Sequence, residues 1–252
     1  MQTFYIHKED VTDDLLTIKG DVCHHISRVL RMHVGDTLRC SDQESFYYEG
    51  TISEITREAV TVAITKTYAI DDEPGIFVTL IQCLPRGDKF DTVIQKTTEL
   101  GISRIIPVES ENSQVRLKKD KKAEKQQRWQ RIAASAAEQC GRGCVPEVLL
   151  PVKLPEAFSL LEPGTEILFC YEADFQHSFG KTVKMIREKT NRIALVIGPE
   201  GGFSPSEAEN IIALKGHPVT MGKRILRTET AGPTALSALM FACGEWEVLN
   251  EN

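Results

Sequence analysis

A chain of 252 residues with a hydrophobic fraction of 41% and a charged fraction of 26% has globular composition, which excludes a disordered or fibrous class and leaves room for one large domain or a small one plus a medium one. No apolar run approaches bilayer-spanning length, and the opening MQTFYIHKEDVTDD carries acids where a signal peptide has its apolar core, so a cytoplasmic protein without membrane contact is expected. The net charge of −6 speaks against a uniformly basic nucleic-acid binder.

Residues 1 to about 70 read as short strands at Phe4–Ile6, Thr37–Cys40, Phe46–Ile55 and Val60–Tyr68, with Val60, Val62 and Ile64 alternating inward. Only His24–Leu30 looks helical there, a pattern that suggests a small β-barrel or curled sheet. The acidic AIDDEPG segment, Ala69–Gly75, is the expected linker. From residue 76 strands alternate with helices, which implies a largely parallel sheet. Strands are expected at Ile76–Leu84, Ile105–Val108, Ile167–Tyr171, Ile193–Ile197 and Pro218–Met221. Helices are expected from Phe90 to Leu100, stopped by Gly101, along the Trp129–Cys140 stripe, and at Phe179–Lys189, Pro205–Lys215 and Thr230–Leu249.

Seven scattered cysteines (Cys23, Cys40, Cys83, Cys140, Cys144, Cys170, Cys243) without a C-x-x-C pair imply reduced thiols and no metal site. The stretch from Asn112 to Arg131 holds eight basic residues against two acids. It reads either as a solvated face or as an electrostatic footprint for phosphates.

The richest segment is RIALVIGPEGGFSPSE, Arg192–Glu207. Its apolar run is that of a central strand in a two-face-covered parallel sheet. Gly198, Pro199, Gly201 and Gly202 then break the ladder, and Ser204, Pro205 and Glu207 spell a capping box. Ligands of open α/β sheets bind at the carboxyl ends of strands, where this turn lies. Neither the triphosphate-binding nor the dinucleotide-binding glycine pattern is present, and Glu200 would repel phosphates, so a neutral or cationic ligand fits better. A second glycine loop, MGKRILRTETAGP (Met221–Pro233), also follows a strand. There Thr228 and Glu229 read as a helix cap with an acid in the first turn, or else Arg227 and Glu229 read as groups at a ligand's mouth.

These two segments, together with RVLRMHVGD (Arg28–Asp36), the run from Lys89 through Gln95 to Pro107, and AAEQCGRGCVPE (Ala136–Glu147), resemble in order the RsmE-type 16S ribosomal RNA uridine-N3 methyltransferases of the SPOUT class. The likeness spans nearly the whole chain; Met221 stands where leucine is more familiar. It implies an α/β protein with an N-terminal PUA-like β-barrel that holds RNA (residues 1–70) and a parallel-sheet methyltransferase domain (residues 76–252) with a deep C-terminal trefoil knot. It also implies S-adenosylmethionine as cofactor, a homodimer, and 16S rRNA within the 30S subunit as partner. The cofactor residues it implies are Phe169, Cys170, Tyr171, Glu172, Ile197, Gly198, Pro199, Glu200, Gly201, Gly202, Met221, Gly222, Ile225, Leu226, Arg227, Thr230 and Ala231.

A cationic sulfonium suits a loop carrying Glu200. Making the uridine N3 anion costs about 3 kcal/mol at neutral pH, its pKa lying roughly two units higher. Arg227 is the leading group to stabilise the developing oxyanion, with Glu200 and Glu229 as the other catalytic candidates. Arg28, Arg31, Arg86, Lys89, Lys96, Arg116, Arg128, Arg131 and Arg142 are the candidate contacts to the RNA backbone. His24, His25 and His33 fit fold or RNA contact better than a role as base. Rival readings are a non-catalytic RNA-binding assembly factor and a methyltransferase acting on another base or on a ribose oxygen.

Overall fold

The computed structural model describes residues 3–171 and 177–247, and the chain forms two compact units. The first comprises Met1–Glu73 together with Ala137–Val145; the second comprises Pro74–Ala136 and Pro146–Asn252.

In the first unit the strands are β1 (Thr3–Tyr5), β2 (Val11–Thr12), β3 (Leu15–Lys19), β4 (Thr37–Ser41), β5 (Phe46–Ile55) and β6 (Ala59–Ala69). They form one six-stranded sheet in the order β1-β4-β5-β6-β3-β2, antiparallel except for the β1–β4 pair. Strict alternation buries Leu16 and Ile18 of β3 beside Val62 and Val60 of β6. The strands β2 and β3 were not anticipated, because five residues with two inward apolar positions give little local signal. The expected His24–Leu30 helix is instead a short α1 (Gly20–His24) followed by a π-helical turn, His25–Val29, and Arg31 takes a left-handed φ of 54°. The segment 137–145 joins this unit through specific bonds. Arg142 is buried and pairs with Glu73, Tyr5 Oη donates to the Arg142 carbonyl at 2.9 Å, and Ser41 Oγ donates to the Gly143 carbonyl. Gly143 is required by that approach, since a Cβ there would meet Ile70 Cγ2 at 2.4 Å.

The second unit is a wholly parallel sheet in the order β10-β8-β7-β12-β11-β13, with β9 beside β8. Its strands are β7 (Phe77–Cys83), β8 (Arg104–Glu109), β9 (Glu147–Val148), β10 (Val152–Lys153), β11 (Glu166–Cys170), β12 (Arg192–Ile197) and β13 (His217–Val219). The helices are α2 (Lys89–Glu99), α3 (Lys119–Cys140), α4 (Leu154–Phe158), α5 (Phe179–Arg187), α6 (Pro205–Ala213) and α7 (Thr228–Ala242). As its unbroken apolar run predicts, β12 is central: residues 193–197 are at most 1% exposed. Gly101 ends α2 with φ 92°, as expected of a residue just past a helix. Phe90 of α2 packs edge-on against Trp129 of α3 at 4.7 Å.

The chain leaves β7 toward β8 on one side, whereas β12 lies on the other side of β7, so the connections reverse direction between these two strands. The step from β12 through α6 to β13 passes over β11. Boundaries near the end of the sheet differ from expectation. The strand β13 ends at Val219, freeing Thr220 and Met221 for the loop, and α7 begins at Thr228 and ends at Ala242. The expected extension of that helix to Leu249 reaches residues outside those described. Among the described residues no helix is long and apolar enough to cross a membrane.

Candidate active site

At the carboxyl ends of the sheet strands the second unit opens into a cleft of about 850 Å3. Its walls are the loops that follow β7 (Arg86, Lys89), β8 (Gln114), β11 (Cys170, Tyr171), β12 (Ile197–Phe203) and β13 (Val219–Leu226), together with the start of α7 (Arg227, Thr228, Glu229, Ala231). This is the switch-point location at which open α/β sheets hold ligands.

The first glycine turn is shaped by its neighbours. Gly201 abuts the loop after β8, where an added Cβ would lie 3.2 Å from Asn112 Cβ, and Asn112 Nδ2 donates to the Gly202 carbonyl at 3.1 Å. Gly202 has φ 69°, the left-handed region. The expected capping box is present: Ser204 Oγ accepts from the Glu207 N–H at 3.2 Å, and Glu207 Oε2 accepts from the Ser204 N–H at 3.0 Å. The other Glu207 oxygen accepts from the Glu111 N–H at 2.7 Å, which ties the turn to the loop after β8.

Glu200 has a definite partner. Its Oε1 accepts from the Arg86 backbone N–H at 3.1 Å, so the acid of the turn braces the loop between β7 and α2. Glu229 braces the same region, with its Oε1 2.8 Å from Lys89 Nζ and its Oε2 buried without a hydrogen-bond partner among the described residues. The Lys89 hydrogen bond holds the Glu229 carboxyl below its ordinary range, helped by the nearby charge of Arg227 and opposed by burial.

The second loop corrects one reading. Thr228 does not cap α7; Arg227 is the N-cap residue, and its carbonyl accepts from the N–H groups of Thr230 and Ala231 at 2.8 Å each. The Thr228 hydroxyl instead donates to the Gly198 carbonyl at 2.6 Å and accepts from Gln82 Nε2 at 2.9 Å, linking the two glycine loops. The sequence suggested a capping role that the structure overturns, and it gave no sign of a partner thirty positions away. Across the cleft floor Cys170 Sγ faces Met221 Sδ at 3.4 Å, and burial pushes the Cys170 thiol up to about 12, so it is neutral.

All three catalytic candidates, Arg227, Glu200 and Glu229, line this cleft, as do Cys170, Tyr171, Ile197, Gly198, Pro199, Gly201, Gly202, Met221, Gly222, Ile225, Leu226 and Ala231. Phe169 does not line it. It is fully buried beneath, with its ring 5.7 Å from Tyr171 and 6.2 Å from Phe203. Thr230 is exposed on the first turn of α7, off the lining, and Glu172 lies outside the described residues.

Of the RNA candidates, Arg86 and Lys89 are on the cleft rim, while Arg28, Arg31 and Arg142 belong to the other unit. Several others have internal partners. Arg116 donates to the Ser110 and Glu111 carbonyls at 2.6 and 3.0 Å, Arg128 pairs with Asp91, Lys96 pairs with Glu99 at 2.9 Å, and Arg131 Nε reaches the Gln127 carbonyl at 3.3 Å. Much of the basic stretch therefore holds its own scaffold. Lining residues that sequence reasoning did not assign to the site are Gln114, Phe203, Val219, Thr220, Lys223, Arg224 and Thr228. Lys223 and Arg224 stand within the glycine-loop motif and could have been read from it; Gln114 carries no local signal.

A parallel sheet with this cleft defines a class. Residues 72–240 match the family described as RNA methyltransferase domain, and residues 18–65 match the RNA methyltransferase PUA domain. The relatives are narrower in name. Ribosomal RNA small subunit methyltransferase E of Bacillus subtilis (strain 168) is 32% identical over 248 residues, which is 96% of this chain and 96% of the relative. Its namesake from Buchnera aphidicola subsp. Schizaphis graminum is 33% identical over 234 residues, 92% and 93% of the two chains. The crystal structure of the Neisseria gonorrhoeae ribosomal RNA small subunit methyltransferase E bound to S-adenosyl methionine matches with a TM-score of 0.83 at 29% identity, covering 96% of this chain and 97% of that one. The chain belongs to the ribosomal RNA small subunit methyltransferase E family of RNA methyltransferases.

Proposed function

We propose that this protein methylates N3 of a uridine in 16S ribosomal RNA, within the 30S subunit, using S-adenosylmethionine. The observation that carries the reading is the pairing of two glycine loops around one cleft, with two carboxylates and no phosphate-binding pattern. The residues fit the cofactor. A cleft of about 850 Å3 is within the usual range for small-molecule sites. The buried, unpartnered Glu229 Oε2 is an acceptor in want of a donor. Cys170, Tyr171, Ile197–Gly202, Met221, Gly222, Ile225 and Leu226 would hold it. When bound, S-adenosylmethionine supplies the methyl group on an electrophilic sulfur-bound carbon.

The chain's own residues supply the rest. Arg227, exposed at the rim, donates to the uracil oxygen on which negative charge grows as the N3 proton leaves; a fixed guanidinium does so without changing its own charge. Lys89 lowers the pKa of Glu229 and holds its carboxylate at the cleft. Glu200 acts through Arg86, setting the loop that closes one side. Alignment of reactants provides a large share of the acceleration in such a displacement.

Several further assignments belong to this reading. Residues 1–70 serve as the PUA-like barrel that holds RNA, and residues 76–252 form the catalytic domain. The chain threads a deep trefoil knot, a reading supported by the crossing of β11 between β12 and β13. Arg28, Arg31, Arg86 and Lys89 contact the RNA backbone. Two subunits associate, for which the exposed Phe241 (70%) and Trp246 (51%) at the end of α7 offer an apolar surface. The enzyme works in the cytoplasm. Incubation with labelled S-adenosylmethionine and undermethylated 30S subunits, followed by nucleoside mapping, tests the whole: N3-methyluridine is expected, and label on a ribose oxygen or no label overturns the reading.

A further inference from the structure

Thr228 separates Arg227 from Glu229 in the lining of the cleft, yet Thr228 is only 4% exposed. A threonine hydroxyl has one proton to give. Here it goes to the Gly198 carbonyl at 2.6 Å, while the oxygen accepts from Gln82 Nε2 at 2.9 Å. Its one proton is therefore engaged inside the protein.

The geometry of Gln82 makes the contact specific. Gln82 is the residue of β7 that pairs with Ile197, the last of β12, so it stands beside the start of the glycine turn. Its amide nitrogen also donates to the Cys83 carbonyl at 3.2 Å. A flipped amide would set oxygen against that carbonyl and against a hydroxyl whose proton is already given. The observed orientation leaves Gln82 Oε1 buried and without a partner among the described residues, and an added Cβ at Gly232 of α7 would lie 2.7 Å from it. A buried orphan acceptor is unfavourable, and such costs persist where another requirement maintains the arrangement.

We infer that Thr228 is a positioning residue for methyl transfer: the relay from Gln82 through Thr228 to Gly198 fixes the spacing and register of the two cofactor loops and so aims Arg227 and Glu229 into the cleft. The proposal rests on the methyl-transfer reading above. Three elements meet at one hydroxyl: the end of β7, the turn after β12 and the first residue of α7. A shift at that point moves both flanking side chains together, and small misplacements in an active site are costly in rate.

The test uses the full-length protein, labelled S-adenosylmethionine and undermethylated 30S subunits, with melting curves to verify folding. Thr228→Val keeps the shape and removes the hydroxyl. It is expected to lower kcat at least about tenfold and to weaken cofactor binding measured by calorimetry, whereas Thr228→Ser, which retains the hydroxyl, stays within about threefold of wild type. A folded Thr228→Val with wild-type kcat and cofactor affinity overturns the proposal, and so does a Thr228→Ser as impaired as the valine variant. If the valine variant does not fold, Gln82→Met decides. It leaves the Thr228 bond to Gly198 but removes its backstop; a lowered kcat with the fold retained supports the relay, and an unchanged kcat overturns it. Wild-type protein that neither binds the cofactor nor labels RNA overturns the underlying reading instead, so the two failures are distinct.

Discussion

Lys89 Nζ lies 2.8 Å from Glu229 Oε1, and the pair joins the first turn of α2 to the first turn of α7 across the mouth of the cleft. Because the lysine is 40% exposed, the pair contributes only about 0.2–1 kcal/mol to stability, and its greater effect is on the charge state of Glu229.

The pH dependence follows from that pair. Lys89 lowers the Glu229 pKa from its ordinary 4.5, so the folded state binds the carboxyl proton less readily than the unfolded chain does. The stabilisation is therefore complete above pH 4.5 and is lost as pH falls through the lower, folded value. Lys89→Met is expected to melt at a lower temperature than wild type at neutral pH, with the difference vanishing in acid. The acid limb of its pH–rate profile is expected to move to higher pH. An unmoved limb would separate Glu229 ionisation from turnover.

Glu200 braces Arg86 by accepting a backbone N–H, a task that an uncharged amide oxygen can also perform. Glu200→Gln should keep cofactor affinity within about threefold, while Glu200→Ala should weaken it by about three- to tenfold, the worth of one hydrogen bond. Titration calorimetry distinguishes the cases. Equal loss in both variants would mean that the charge itself meets the ligand.

Arg227 is expected to act on the transition state and not on the cofactor. Arg227→Ala should reduce kcat by about a hundredfold or more, in line with the removal of one oxyanion donor, and leave cofactor affinity near wild type. Arg227→Lys should rescue only part, because an ammonium lacks the forked geometry. Near-normal turnover in the alanine variant would remove the assignment.

Gly232 sits inside α7, where exchange of glycine for alanine ordinarily favours the helix by up to about 1 kcal/mol. Here the sign reverses. The new Cβ would approach Gln82 Oε1 at 2.7 Å in a fully buried site, so Gly232→Ala should destabilise by about 1–3 kcal/mol, read as a lowered urea midpoint. A raised midpoint would show that Gln82 yields without cost.

Much of the architecture could be read from local chemistry. The apolar run 193–197 is the buried central strand, Gly101 ends α2, and Ser204 with Glu207 opens α6, because each depends on residues a few positions apart. The two glycine loops were recognisable for the same reason, and they do meet at one cleft. Glu200, Arg227 and Glu229 could be named as candidates, but their partners could not.

What the sequence alone determined, then, is the alternation of the main strands and helices of the second unit, the placement of the glycine turns, and the absence of a phosphate-binding glycine pattern. Tertiary structure decided the rest, because side-chain partners are set by the folding of distant segments onto one another. It gave the acid of the first turn to the Arg86 N–H, spent Arg116 and Arg128 on the scaffold, and buried Arg142 against Glu73. It also turned Thr228 from a helix cap into the bond between the two loops, since Gly198, thirty positions earlier, lies within reach only after β12 is seated beside β7.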